Sequence, residues 1–177
     1  MTMIEMHVMG IALDTRTGTP IVVLNDMENR RALPIWIGTA EASAIIRQLE
    51  NIKSARPMTH DLLYNIIQSM KLSVEKIEIN EINSDTYYAT IYLNPLGGKA
   101  EDSKPMVVDS RPSDAIALAL KSEAPIFVTA NVVADGTIST DQARDEAEAE
   151  EFREFLQNLK ASDFEKFMGD DETNQDN

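Results

Sequence analysis

Cysteine is absent from the 177 residues, which excludes disulfides and thiolate metal centres. Long apolar runs are absent too, and nothing approaches the roughly 20 residues of a membrane span. The chain starts Met-Thr-Met-Ile, but Glu5 and His7 interrupt the run that a secretory signal needs, so a cytoplasmic protein is expected. Positive charge is scarce: 16 Lys and Arg stand against 30 Asp and Glu, a net of −14. Phosphate contacts need clustered basic residues, so a uniform balance of this kind would argue against nucleic acid. The charge is not uniform. Residues 141–177 hold thirteen acids against Arg144, Arg153, Lys160 and Lys166, a net of −9, which leaves −5 for residues 1–140. A basic patch on the body is therefore permitted. No Ser-His-Asp arrangement, His-Glu-x-x-His pair, dinucleotide fingerprint or internal repeat is present, and the only biased run is Glu/Ala at 146–151.

The length suits one domain with an appendage. Residues 3–13 mix alternation with apolar neighbours and read as a strand; the turn formers of 14–20 lead into Ile21–Leu24, giving a hairpin. A third strand, Arg31–Gly38, contains Pro34, which cannot donate to a ladder and so places the strand at an edge or a bulge. Gly38 and Thr39 then cap a helix from Ala40 to about Asn51, with Glu41 in its first turn and slim residues (Ala40, Ala42, Ser43, Ala44) at its start. Thr59 caps a second helix whose Leu62, Leu63, Ile66, Ile67 and Met70 read as a core face. Residues 72–83 and 86–93 form a second hairpin. A loop, 94–105, follows.

The next stretch gathers the most chemistry. Met106-Val107-Val108 runs as a strand into Asp109-Ser110-Arg111-Pro112-Ser113-Asp114, and then into the helix Ala115–Leu120. Pro112 fits the first helical turn and Ser110 is placed to cap. Two carboxylates and a guanidinium thus meet a helix N-terminus, which suits either anion binding or capping by Asp114. A short strand, Ala124–Val128, completes a local βαβ unit, so an α+β fold on a mixed sheet with helices packed on it is expected. The body should run over 1–138. Residues 139–168 read as an acidic amphipathic helical extension, with capping boxes at Ser139/Gln142 and Ser162/Glu165 and an apolar face of Phe152, Phe155, Leu156 and Leu159. Residues 169–177 read as a disordered tail.

Two segments, Arg31-Ala-Leu-Pro-Ile-Trp-Ile-Gly-Thr-Ala-Glu-Ala-Ser-Ala-Ile45 and Asp109–Leu120 with Ala124–Val128, resemble the signature of the bifunctional nuclease domain family. The order of elements over roughly 4–135 is similar throughout, and Phe152–Leu159 with Asp163-Phe164 resembles the tail of bacterial members. The resemblance implies an α+β fold, a homo-oligomer, and RNase and DNase activity as claimed for plant members; other members are linked to transcriptional control.

A nuclease must stabilise negative charge on phosphate and activate water, commonly with Mg²⁺ held by carboxylates beside Arg or Lys. Glu41 and Asp114 each start a helix that follows a strand, and Asp109 ends a strand. If the two strands are parallel neighbours, the three carboxylates and Arg111 converge at one edge of the sheet. The expected site is therefore Glu41, Asp114 and Arg111 as catalytic groups, Asp109, Asp114 and Glu41 as ligands of a divalent ion, and Arg111, Ser110, Ser113 and Lys104 as substrate contacts. The competing reading is structural: Asp114 complements the helix dipole and pairs with Arg111, and Glu41 bridges to Arg111 and locks two helices. His60 is a candidate general base or a solvated cap residue. His7 reads as structural, and Trp36 as core packing in preference to base stacking. Lys99 and Lys104 flank Gly97-Gly98, which lacks the spacing of a phosphate loop and reads as a turn. The 152–159 face reads as a dock or oligomer contact. The leading function is a nuclease acting on RNA or DNA; the alternative is a non-catalytic oligomeric regulator binding nucleic acid, a nucleotide or the transcription machinery.

Overall fold

The computed structural model describes residues 2–97 and 104–139. The strands are β1 (Met3–Leu13), β2 (Pro20–Asp26), β3 (Arg31–Trp36), β4 (Leu72–Asn83), β5 (Thr86–Pro95), β6 (Met106–Ser110), β7 (Ile126–Thr129) and β8 (Ile138–Ser139). The helices are α1 (Thr39–Leu49), α2 (Thr59–Ser69), α3 (Pro112–Ser122) and α4 (Ala130–Gly136). All eight strands join one sheet in the order β6-β5-β4-β7-β1-β2-β3-β8. Among the described residues β4 and β7 form the only parallel pair, so the sheet is mixed and the fold α+β as expected.

Local chemistry explains the hairpins. Ser84 and Asp85, the two residues between β4 and β5, both take positive φ (49° and 62°), the mirror-image turn that matches strand twist. Asp26 stops β2: its Oδ1 accepts the backbone N–H of Arg30 at 2.7 Å and of Arg31 at 3.3 Å. Pro34 sits where its missing N–H costs nothing, because β8 reaches only Arg31 and Ala32 and leaves the outer side of β3 unpaired at Pro34. The β6-α3-β7 crossover joins strands that run in the same direction, but β5 and β4 lie between them.

The main core gathers Val22, Leu24, Leu33, Ile35, Ile77 and Ile79 from the sheet with Ala42, Ile45, Ile116, Leu118 and Val132 from the helices. Three expectations fail against it. On α2 only Ile67 is buried, while Leu62, Leu63, Ile66 and Met70 are 54%, 39%, 48% and 59% exposed. Periodicity shows that a helix has an apolar face, not that anything covers it. Trp36 is 54% exposed, and its Nε1 donates to Asp14 Oδ2 at 3.2 Å. His7, on an apolar strand, faces solvent. The extension and tail lie outside the described residues except for Ser139, which pairs with Arg31 in the sheet.

Candidate functional site

Each of α1, α2 and α3 carries an acid at its third position: Glu41, Asp61 and Asp114. None of the three helices has a side-chain cap on its first turn, since Gly38, Met58 and Arg111 occupy the cap positions. Asp61 does reach back, its Oδ2 accepting the Met58 backbone N–H at 2.9 Å. The expected cap at Ser110 is not made: its Oγ donates to the Arg111 carbonyl at 2.9 Å.

The starts of all three helices line one cleft of about 240 Å³, through Glu41 from α1, Met58 and His60 from α2, and Arg111, Ser113 and Asp114 from α3. Helix N-termini expose N–H groups and partial positive charge, which the first-turn acids Glu41, Asp61 and Asp114 offset here. Arg111 joins two of them. Its Nη2 lies 2.9 Å from Glu41 Oε1, and its Nε donates to Asp114 Oδ2 at 3.0 Å. The guanidinium stays 67% exposed, with the Glu41 side chain at 19% and Asp114 at 46%. Hydrogen bonding to Asp114, then to Glu41, raises the Arg111 pKa further above its ordinary value.

Arg111 also lines a second cleft of about 370 Å³, with Trp36 and Gly38 at the end of β3 and Asp85 and Tyr87 at the start of β5. The guanidinium therefore stands between an acid-base pocket on one side and an aromatic pocket on the other. His60, in the first cleft, lies with Nε2 3.6 Å from Asp61 Oδ1. Burial, outweighing the attraction of Asp61, lowers the His60 pKa below 6.5, so the imidazole is neutral near pH 7.

The site does not arise from parallel neighbouring strands. Five strands separate β3 from β6, and the two run in opposite directions. They share a cleft because α1 packs on α3, where alanines on both helices permit a close approach. Glu41, Asp114, Arg111 and Ser113 are brought together. Asp109 is not: it pairs with Thr90 on the exposed edge strand β6 and lines neither cleft. Lys104 is exposed ahead of β6 and also outside both; Lys99 lies outside the described residues. Among the described residues no three His, Asp or Glu side chains stand close enough to hold a metal ion. In this arrangement Glu41 and Asp114 are both engaged by Arg111, and Asp109 lies apart from them on β6.

Tyr87 and Met58 carry no sequence signal as cleft residues, and Trp36, weighed above for base stacking, lines the second cleft and not the core. The three come from a hairpin start, a helix cap and a strand end, with no shared spacing in sequence. A larger cleft of about 510 Å³ lies at Arg47, Tyr64 and Lys121, where Lys121 Nζ holds Asp61 Oδ1 at 2.6 Å and keeps its pKa below the usual carboxylate range.

The bifunctional nuclease domain matches residues 22–141, and the chain belongs to that family. An uncharacterized protein of Mycobacterium tuberculosis is 32% identical over 168 residues, covering 90% of this chain and 97% of its own. Bifunctional nuclease 1 of Oryza sativa subsp. indica is 29% identical over 100 residues, 56% of this chain and 29% of its own length. Bifunctional nuclease 2 of Oryza sativa subsp. japonica is 28% identical over 127 residues, 71% of this chain and 38% of its own. No helix among the described residues is long and apolar enough to cross a membrane.

Proposed function

We propose that this protein is a nuclease that hydrolyses RNA or DNA phosphodiesters at the Glu41-Arg111-Asp114 junction. One observation carries the reading: three helix N-termini and an exposed guanidinium meet at a cleft with a neutral histidine. That combination binds a phosphate and supplies a base. Arg111 clamps the non-bridging oxygens, releasing one carboxylate to do so. His60 takes the proton of the attacking water or ribose hydroxyl, the phosphorus to leaving-oxygen bond breaks, and the leaving oxygen is protonated from the open side of the cleft. Trp36 and Tyr87, across Arg111, offer ring faces to a flanking base. Family membership supports the nucleic-acid substrate.

The test is turnover of single-stranded RNA and DNA by the purified chain, with Arg111→Ala, His60→Ala, Asp114→Ala and Glu41→Ala beside it. Loss of about 10²-fold or more in Arg111→Ala and His60→Ala supports the assignment. Activity equal in all five proteins marks a contaminant. EDTA is the arm for magnesium: turnover that vanishes with the chelator and returns with Mg²⁺ would mean that Asp109, Asp114 and Glu41 rearrange to ligate an ion. The second reading, a non-catalytic oligomeric regulator, is favoured by the saturation of Arg111 by two carboxylates. It predicts nucleic-acid or nucleotide binding that Arg111→Ala abolishes, with no turnover in any variant.

A further inference from the structure

Ala12, Ile21, Val23 and Ala32 form a hydrophobic cluster apart from the main core, and each is at most 5% exposed. Strand alternation puts them on the opposite face of β1-β2-β3 from Ile11, Val22, Leu24 and Leu33, which pack with buried residues of all four helices. The helices that pack on these strands, α1 and α4, join the main core on the other face, yet Val23 and Ala32 are completely shut off from solvent. A sheet face with nothing on it leaves its side chains wet.

β8 pairs with Arg31 and Ala32, so the chain leaves the sheet at its β3 edge, next to Ala32, with 38 residues still to come. Those residues include Phe152, Phe155, Leu156, Leu159, Phe164, Phe167 and Met168 among their acids. The twelve residues from 140 to 151 span about 18 Å as helix and about 40 Å extended, against a body roughly 35 Å across, so the aromatic stripe reaches any point of the face.

We infer that residues 152–168 of the same chain lay their Phe/Leu stripe across the outer face of β1-β2-β3 and seal Ala12, Ile21, Val23 and Ala32 from water. The other apolar surface open to such a segment is α2, and it is bare: Leu62 is 54% and Met70 59% exposed. A stripe seated there would cover them. The inference rests on burial and connectivity and is independent of the nuclease reading.

The lack of native cysteine makes the test clean. Ala32→Cys places one small thiol in the sealed cluster, and its labelling rate with a maleimide is measured in the full chain, in the full chain carrying Phe152→Glu and Phe155→Glu, and in a chain ending at Ser139, with folding checked by circular dichroism. The thiol of the full chain is expected to react at least about tenfold more slowly than in either altered chain, at a rate independent of protein concentration. Equal rates in all three overturn the inference, as does protection that grows with concentration, which would make a second copy the cover. Should both altered chains unfold, the pair Ile21→Cys with Phe155→Cys in the full chain decides: an intramolecular cross-link with a short bis-maleimide supports the seat, and its absence overturns it. Ile66→Cys on α2 serves as the control, and its protection in the full chain would place the stripe on α2 instead.

Discussion

Replacing Gly38 with alanine separates the geometry of the Arg111 junction from its charge. Gly38 caps α1 with φ −79° and ψ 164°, a conformation open to any residue, so the backbone resists nothing. The new Cβ would collide with Oε2 of Glu41, and the carboxylate carbon would lie only 3.1 Å away. That carboxylate is the far end of a flexible side chain, so it swings aside and releases Arg111 Nη2, which it holds at 2.9 Å. All charges remain and one ion pair is lost. With Arg111 67% exposed, the pair belongs among surface bridges worth about 0–1 kcal/mol. Alanine at a cap costs up to about 1 kcal/mol relative to glycine, and the stiffer unfolded chain returns about 0.4–1 kcal/mol. The net loss is about 0–1 kcal/mol, a fall in Tm of at most about 2–4 °C for a chain of this size. Thermal melts of the wild type, Gly38→Ala, Glu41→Ala and the double variant form a cycle. The Gly38→Ala penalty should shrink in the Glu41→Ala background, where nothing is left to strike. Inorganic phosphate titrated calorimetrically should bind Gly38→Ala up to about fivefold more tightly, because the guanidinium has one competitor fewer. An equal penalty in both backgrounds with unchanged phosphate affinity would refute the argument.

Three further outcomes are expected. Burial holds the His60 pKa below 6.5, so as pH falls the unfolded chain protonates first. Stability present above that pH is lost as pH drops through 6.5 toward the folded value; His60→Asn should flatten the decline of Tm between about pH 7 and 5, and an unchanged slope would remove His60 as its cause. Tyr92 donates to Glu78 Oε2 at 2.7 Å, which with burial pushes its pKa up to about 12; Glu78→Gln should return it toward 10 in a tyrosinate absorbance titration, and a curve identical to wild type would deny the bond. Ile116→Ala, fully buried, should cost about 2–5 kcal/mol in urea unfolding, whereas Ile66→Glu, 48% exposed, should stay within about 0.5 kcal/mol. Sedimentation of Ile66→Glu beside wild type also tests the expected homo-oligomer: a mass unchanged from an oligomeric wild type keeps α2 out of the subunit contact.

Much of the fold was legible because its signals are local. Turn residues, period-two runs and the helix starts at Gly38-Thr39 and Arg111-Pro112 each depend on a few consecutive residues, and the strands and helices follow from them. The Asp114–Arg111 pair was legible for the same reason, being a contact across three positions. What failed was local information asked for a long-range answer. α2 announced an apolar face, but Ile67 alone found the core, and Trp36 sits between two isoleucines yet faces outward, as alternation along β3 permits.

The sequence by itself determined which residues stand at helix N-termini and therefore which ones can meet an anion: Glu41, His60 with Asp61, Arg111 and Asp114. Only the tertiary structure decided that they meet each other. Strand order put five strands between β3 and β6 and ran the two in opposite senses, and the packing of α1 on α3 brought the helix starts that follow them to one guanidinium. That packing also excluded Asp109, which lies on the edge strand a few residues before Asp114 in the chain and yet outside the cleft. Spacing along a chain fixes direction within an element; which elements become neighbours depends on burial of the whole apolar surface, a quantity no short stretch contains.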